Sequence, residues 1–332
     1  MNNSITANLK LSFIKLGVLP FLLILAIVVF SILSSNFLTV DNFTNVARQS
    51  TYLVIISIGQ MFTLLTGGFD LSVGSIMAIS SVTTAMTIVF FTTIFPDSVY
   101  LVILVGLMSG ILVGILVGAI NGLGVSLFDV SPFIMTMGVS STVFGIALYL
   151  TGGVPISDLP DEFSDFFGYG TLFDVPIPVL ITLFIAFTMY ILVSHTIYGR
   201  YFYATGGNIK AAKLSGISTK KYLFMAYIIC AILAAVAGLL LTARIGSGEA
   251  NLGASFPLES IAACIIAGVS LRGGIGNVQS VVLGAFFIIL MQNGMNLAQI
   301  ESYLQIVVIG ILLIVAVLAD KLREKLLDST KI

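Results

Sequence analysis

Long apolar runs separated by short polar breaks organise this chain. A membrane-spanning helix needs about 20 mostly apolar residues. Runs of that kind lie near residues 12–33, 51–66, 75–95, 99–123, 132–151, 177–195, 222–243, 257–271, 278–297 and 303–319. Several are short or interrupted by glycine. The pattern predicts an all-α polytopic membrane protein of about ten spans, with broken or re-entrant segments, built as one domain over residues 1–332. Lys10 and Lys15 stand before or within the start of the first run, and no small-residue cleavage site follows it. It reads as a retained anchor rather than a removed signal peptide.

The polar breaks carry a charge asymmetry that orients the spans. Between Thr196 and Tyr222 lie Arg200, Lys210, Lys213, Lys220 and Lys221, with no acid. Between Gly152 and Pro176 lie Asp158, Asp161, Glu162, Asp165 and Asp174, with no base. The C-terminal tail adds Lys321, Arg323, Lys325 and Lys331. Basic loops stay in the cytoplasm, so the acidic loop is expected outside and both termini inside, which an even number of spans satisfies.

Composition removes the soluble classes. Hydrophobic residues make up 58% of the 332 positions and charged residues only 9%, against roughly 25% charged in a soluble domain. Mean hydropathy is +1.14. A net charge of -1 gives no basic footprint for nucleic acid. Cys230 and Cys264 sit inside apolar runs without metal-site or disulfide spacing, and the single histidine, His195, ends an apolar run. A catalytic metal has almost no ligands to draw on, and no cofactor is expected.

Gly106, Gly110, Gly114, Gly118 and Gly122 recur at every fourth residue, which makes a smooth ridge along one helix face. Such ridges let membrane helices approach closely; lining a substrate path is the alternative. Asn121-Gly122 and Asn293-Gly294 each precede a polar turn on spans of opposite direction, a weak inverted repeat of the kind transporters use.

Three segments carry candidate chemistry. In LTGGFDLSVGS, residues 65–75, glycines, an acid and a hydroxyl interrupt an apolar stretch. An acid at membrane depth faces protein or water rather than lipid, and broken backbone there lines a cavity or is buried in protein. Asp70 and Ser72, with Phe69 beside them, form a pathway or gate element in which they hold that broken backbone or meet substrate hydroxyls, or Asp70 caps a helix starting near Ser72 at a cytoplasmic turn. Gln60, Asn121, Gln292, Asn293 and Asn296 are further intramembrane polar groups, each able to line a substrate path or to join helices. The basic loop GRYFYATGGNIKAAKLSGIS, residues 199–218, has a central stretch, Ile209 to Leu214, able to form a short helix between Gly206-Gly207 and Gly216. It reads as a docking element or as a solvated basic loop. The third segment, GGIGN at 273–277 after Arg272, lacks the Lys and Ser/Thr of a phosphate-binding loop. Any ATP must be handled by another chain.

Together, GGFDLSVGS, SPFIMTMG, LTGGVPI, the basic loop, ESIAACIIAGVSLRGGIGN and QNGMNL, in this order, resemble the ribose-type permeases of ABC importers over about residues 35 to 320. The resemblance implies a non-enzymatic subunit that pairs with a second permease, sits on a separate ABC ATPase and receives a monosaccharide from a periplasmic sugar-binding protein at the bacterial inner membrane. Gly199, Arg200, Gly206, Gly207, Asn208, Ala211, Ala212, Leu214 and Gly216 would then form the loop that couples to the ATPase. The family often has Ile at the position of Phe69 and Gly at that of Ala267. Polyol, nucleoside, furanose and branched-chain amino acid importers share the architecture. An ion-coupled transporter would want a relay of buried ionisable groups, for which only Asp70, Glu259 and Arg272 stand as candidates. An intramembrane enzyme lacks a nucleophile and base set.

Overall fold

The computed structural model describes residues 19–329, almost wholly helical. Lys10, Lys15 and Lys331, with the expected N-terminal anchor start, lie outside the described residues. The helices are α1 (Leu19–Leu33), α2 (Val40–Leu65), α3 (Val73–Ile94), α4 (Val99–Ser126), α5 (Pro132–Thr151), the one-turn α6 (Asp161–Ser164), α7 (Ile177–His195), α8 (Ile197–Gly207), α9 (Ile209–Leu214), α10 (Thr219–Ile245), α11 (Phe256–Ile266), α12 (Val278–Leu297) and α13 (Ser302–Ser329). Among the described residues, six of them, α3, α4, α5, α7, α10 and α12, are long and apolar enough to cross a membrane. That establishes a polytopic all-α membrane protein, although six falls short of the ten expected.

The shortfall has particular causes. α2 is long, but its first half carries Asp41, Asn42, Asn45, Arg48 and Gln49. α11 has 11 residues, about 16 Å at 1.5 Å per residue, where a bilayer core needs about 30 Å. The span expected at 257–271 is therefore only half a helix. The chain before it is non-helical and runs along α3. A methyl group on Gly248 would meet Ala85, and one on Gly74 would overlap the Gly253 carbonyl. The broken segments anticipated from the glycine pattern are thus present at two places, 66–72 and 246–255.

α2, α3, α4, α10 and α12 form the centre of the bundle. The glycine ridge lies buried between α3 and α10: Gly106 and Gly110 face Ile88 and Thr84, Gly114 and Gly118 face Ala235 and Ala231, and Gly122 faces Phe224. Ser80 Oγ donates to the Gly110 carbonyl at 2.9 Å and Thr84 Oγ1 to that of Gly106 at 3.0 Å. The ridge is a packing surface.

α10 fixes the two ends of the bundle. Its 27 residues, about 40 Å, start directly after the basic loop and finish under the acidic loop. The acidic loop folds as α6, a π turn over Asp165–Tyr169, and a hairpin of β1 (Thr171–Leu172) and β2 (Val175–Pro176). Tyr169 Oη donates to the Arg244 carbonyl at 2.9 Å. The two loops of opposite charge therefore occupy opposite ends. α4 finishes at the basic-loop end and α12 begins there, so Asn121 and Asn293 do lie on helices of opposite direction.

Candidate functional site

At the basic-loop end, α2 stops at Leu65 and α3 begins at Val73. Glycines make the break possible. Gly67 has φ +84, which favours glycine, and a methyl on Gly68 would stand 2.6 Å from the Tyr227 hydroxyl. Side chains then hold the open backbone. Asp70 Oδ1 accepts from Ser72 N at 2.8 Å and Ser72 Oγ at 2.6 Å, and Ser72 Oγ accepts from Asn121 Nδ2 at 2.7 Å. In the orientation that satisfies both its atoms, the Gln60 amide accepts from Asp70 N at 3.0 Å and donates to the Asp70 carbonyl at 3.2 Å. Leu71 N donates to Thr136 Oγ1 at 3.1 Å, and Tyr227 Oη to the Phe69 carbonyl at 3.4 Å. Gln60, Asp70, Ser72 and Asn121 are fully buried. Asp70 thus restrains the backbone just before α3, inside the protein. Asp70 Oδ2 and Asn121 Oδ1 have no hydrogen-bond partner.

The predicted polar set does not converge. Gln60, Phe69, Asp70, Ser72 and Asn121 share this locus, with Phe69 edge-on to Phe133 at 6.4 Å. The other three, on α12, point elsewhere. Gln292 Nε2 donates to Glu259 Oε1 at 3.3 Å, Asn293 exchanges bonds of 2.9 and 3.0 Å with Asn42 at the start of α2, and Asn296 Oδ1 accepts from Gln305 at 2.8 Å. Helix-to-helix bonding accounts for these three.

The basic loop folds as two short helices. Thr196 caps α8 by accepting from Gly199 N at 3.3 Å, and Asn208 caps α9 by accepting from Ala211 N at 3.0 Å. Gly216, with φ +81, ends the element. Ile209 to Leu214 is helical as expected. Ala212 and Gly199 are buried; Arg200, Gly207, Asn208, Lys210, Ala211 and Lys213 are exposed, and Leu214 is 91% exposed.

Three glycine motifs meet beside the break. A methyl on Gly206 would overlap the Leu65 carbonyl oxygen and stand 2.8 Å from Gly274 N, while Gly274 N donates to that same carbonyl at 2.9 Å. A methyl on Gly273 would stand 2.9 Å from the Gly206 carbonyl and 3.0 Å from Gly67 N. Tyr203 Oη donates to the Gly276 carbonyl at 2.6 Å. GGFD, TGGN and RGGIGN therefore touch backbone to backbone, with no side chain between them.

Sequence reading missed a second polar cluster at the acidic-loop end. Arg48, Tyr52 and Asn45 on α2 face Arg244 on α10, with Tyr169 above them. An arginine at the penultimate position of an apolar helix was the available signal. A cavity of about 460 Å³ between α3, α4 and α5, lined by Ile79, Val113, Val117, Val143 and Ile146, offers only two hydroxyls, of Thr83 and Thr142. It cannot satisfy a polyhydroxylated ligand. No cluster of three or more metal-ligating side chains occurs among the described residues.

Residues 42–317 match the family described as "Branched-chain amino acid transport system / permease component". Among curated proteins, the chain is 40% identical over 313 residues to the ribose import permease protein RbsC of Bacillus subtilis, covering 93% of this chain and 94% of that one. It is 36% identical to the D-allose transport system permease protein AlsC of Escherichia coli, covering 92% and 91%. It is 33% identical to the L-arabinose transport system permease protein AraH of Escherichia coli, covering 87% and 85%. No solved structure matches.

Proposed function

The chain belongs to the permease family that it matches over residues 42–317, and from that premise we propose that it is the membrane-spanning subunit of an ATP-binding-cassette importer for a monosaccharide. The family description mentions branched-chain amino acids, but the full-length relatives at 31–40% identity carry ribose, allose, galactose and arabinose in their names. A zwitterionic substrate would also want fixed charges of both signs, and the break holds one carboxylate without a base. A polyol, nucleoside or furanose remains the alternative within the same class.

The observation that carries this reading is the junction of the basic loop with the end of α2. α9 presents Leu214, Lys210 and Lys213 outward, as a helix pressed on a partner would, and its preceding glycines abut the break at Asp70. ATP-driven motion of a separate ATPase would enter through α9 and reach the Asp70–Ser72–Asn121 network with no compliant side chain between. A periplasmic binding protein would dock at the acidic-loop end. The basic loop and both termini would be cytoplasmic, and the chain would work in the inner membrane beside a second permease, identical or not. The six long helices with α1, α2, α13 and the half-helix α11, continued by the non-helical chain before it, would complete ten crossings. An ion-coupled mechanism is disfavoured because Asp70 and Glu259 are bonded to separate, uncharged partners, Ser72 and Gln292, and form no relay.

Reconstitution tests this. The chain is co-expressed with its neighbouring ATPase and binding-protein genes, placed in proteoliposomes, and assayed for ATP hydrolysis and uptake with D-ribose, D-allose, D-galactose and L-arabinose. Hydrolysis stimulated by one loaded binding protein, and lost on replacing Gly207-Asn208 or Ala211, is expected. Uptake driven by a proton or sodium gradient without an ATPase would overturn the proposal.

A further inference from the structure

Among the described residues, six buried side-chain atoms have no hydrogen-bond partner. Three of them, Arg48 Nε, Tyr52 Oη and Arg244 Nη1, belong to the cluster at the acidic-loop end. Buried polar groups are ordinarily satisfied, and an unmet one destabilises the fold. Three together, two of them on arginines, call for a ligand that brings acceptors.

The local geometry narrows the chemistry. Tyr52 is 4% exposed, and the two arginines are half-buried. The Tyr52 hydroxyl faces both guanidinium groups and lies close enough to Arg244 and Thr51 to interact with their polar groups, but makes no well-aligned hydrogen bond to them. Arg244 Nη2 reaches only Asn45 Oδ1, at 3.5 Å, and that oxygen also accepts from Gln49 Nε2 at 3.2 Å. The Arg48 guanidinium lies 5.9 Å from the Tyr169 ring centre, and Tyr169 is half exposed on the π turn of the acidic loop. No carboxylate is ion-paired with Arg48 or Arg244 among the described residues, despite the five acids of the loop above. The cluster thus combines N–H donors, one hydroxyl able to donate or accept, and two aromatic rings, one of them at the outer rim. That set suits an uncharged ring bearing several hydroxyls: guanidinium groups donate to hydroxyl oxygens in pairs, and an aromatic ring at the rim offers an apolar face to the C–H side of a sugar.

We propose that Arg48, Tyr52 and Arg244, beneath Tyr169, form an outer sugar-binding subsite that takes the monosaccharide from the binding protein before it enters the bundle. This rests on the importer reading. The competing occupant, a carboxylate of the docked binding protein, is less well served: Tyr52 lies three turns inside α2, out of reach of a side chain resting on the surface.

The test uses the complete importer in proteoliposomes, with D-ribose, D-allose, D-galactose or L-arabinose, whichever supports uptake. Arg48→Met and Arg244→Met keep the apolar stems and remove the donors; Tyr52→Phe removes one oxygen and keeps the ring. Uptake at saturating binding protein should fall about tenfold or more for each arginine variant, the loss of a hydrogen bond to a charged group, and about two- to fivefold for Tyr52→Phe. The affinity of the loaded binding protein for the complex should stay within twofold of the parent. A parallel loss of binding-protein affinity would overturn the subsite in favour of a docking contact, and undiminished uptake in all three variants would overturn it outright. Should neither arginine variant assemble, Tyr52→Phe decides: parental uptake refutes the proposal. Absence of ATP-driven uptake in the parent complex is a different result and counts against the importer reading instead.

Discussion

Replacing Gly206 with alanine perturbs the glycine junction at its tightest point. The added methyl would stand 2.8 Å from both the Leu65 carbonyl carbon and Gly274 N, with the Leu65 oxygen closer still. Ordinary contact begins near 3.4 Å, so the 2.8 Å contacts alone require about 0.6 Å of parting and the nearer Leu65 oxygen requires more. The methyl crowds both ends of the 2.9 Å bond from Gly274 N to the Leu65 carbonyl, and the parting takes that bond beyond the range of a useful hydrogen bond. An unmet backbone donor costs about 1–3 kcal/mol and overpacking about 1–3 kcal/mol more. The local destabilisation is therefore about 2–6 kcal/mol, confined to the contact between the basic loop and the end of α2. Under the proposed mechanism the complex still assembles and hydrolyses ATP, but sugar moved per ATP falls about tenfold or more, since about 1.4 kcal/mol is a factor of ten. Parallel uptake and phosphate-release assays on one proteoliposome preparation measure that ratio. Gly145→Ala on α5 is the control, because a methyl there meets nothing within 4 Å. A parental ratio in assembled Gly206→Ala would refute transmission through this junction.

Other perturbations separate packing from function. Ser72→Ala removes the hydroxyl shared by Asp70 and Asn121 and should lower stability by about 1–3 kcal/mol, read as a reduced thermal midpoint in detergent. Asp70→Asn keeps an acceptor for Ser72 and should fold with a midpoint near the parent's; lost uptake with that midpoint intact would show that the charge itself acts in transport. Gly110→Leu drives a side chain into Thr84, Leu239 and the Ser80 carbonyl and should prevent recovery of folded protein by size exclusion, whereas Gly145→Leu should not. Leu214→Asp places a charge on the outward face of α9; capture of the ATPase on co-purification should fall with no change in the midpoint.

Much of this architecture was legible in order along the chain. Hydropathy locates the long helices because burial in lipid demands a continuous apolar run, and the loop charges sort to opposite ends because each follows directly from a neighbouring span. The short helix Ile209–Leu214 was legible from its flanking glycines and Asn208. The Asp70 break could be seen in GGFD, because glycine and an acid inside an apolar run leave few alternatives.

Packing decided the rest. The run at 257–271 looks like a span, yet only Phe256–Ile266 is helical, since Gly268, with φ +84, turns the chain back so that Gly268 N and Val269 N donate to the Ile265 and Cys264 carbonyls. Asn121 and Asn293 resemble one another in sequence, but one bonds Ser72 and the other Asn42 at the far end. Leu65, Gly206 and Gly274 share no local signal, because their contact is made by backbone atoms, which no side chain in the sequence reveals. Arg48 and Arg244, almost 200 positions apart, become one cluster only when α2 and α10 lie antiparallel. Periodicity and charge are properties of neighbours in the chain, and these contacts belong to neighbours in space.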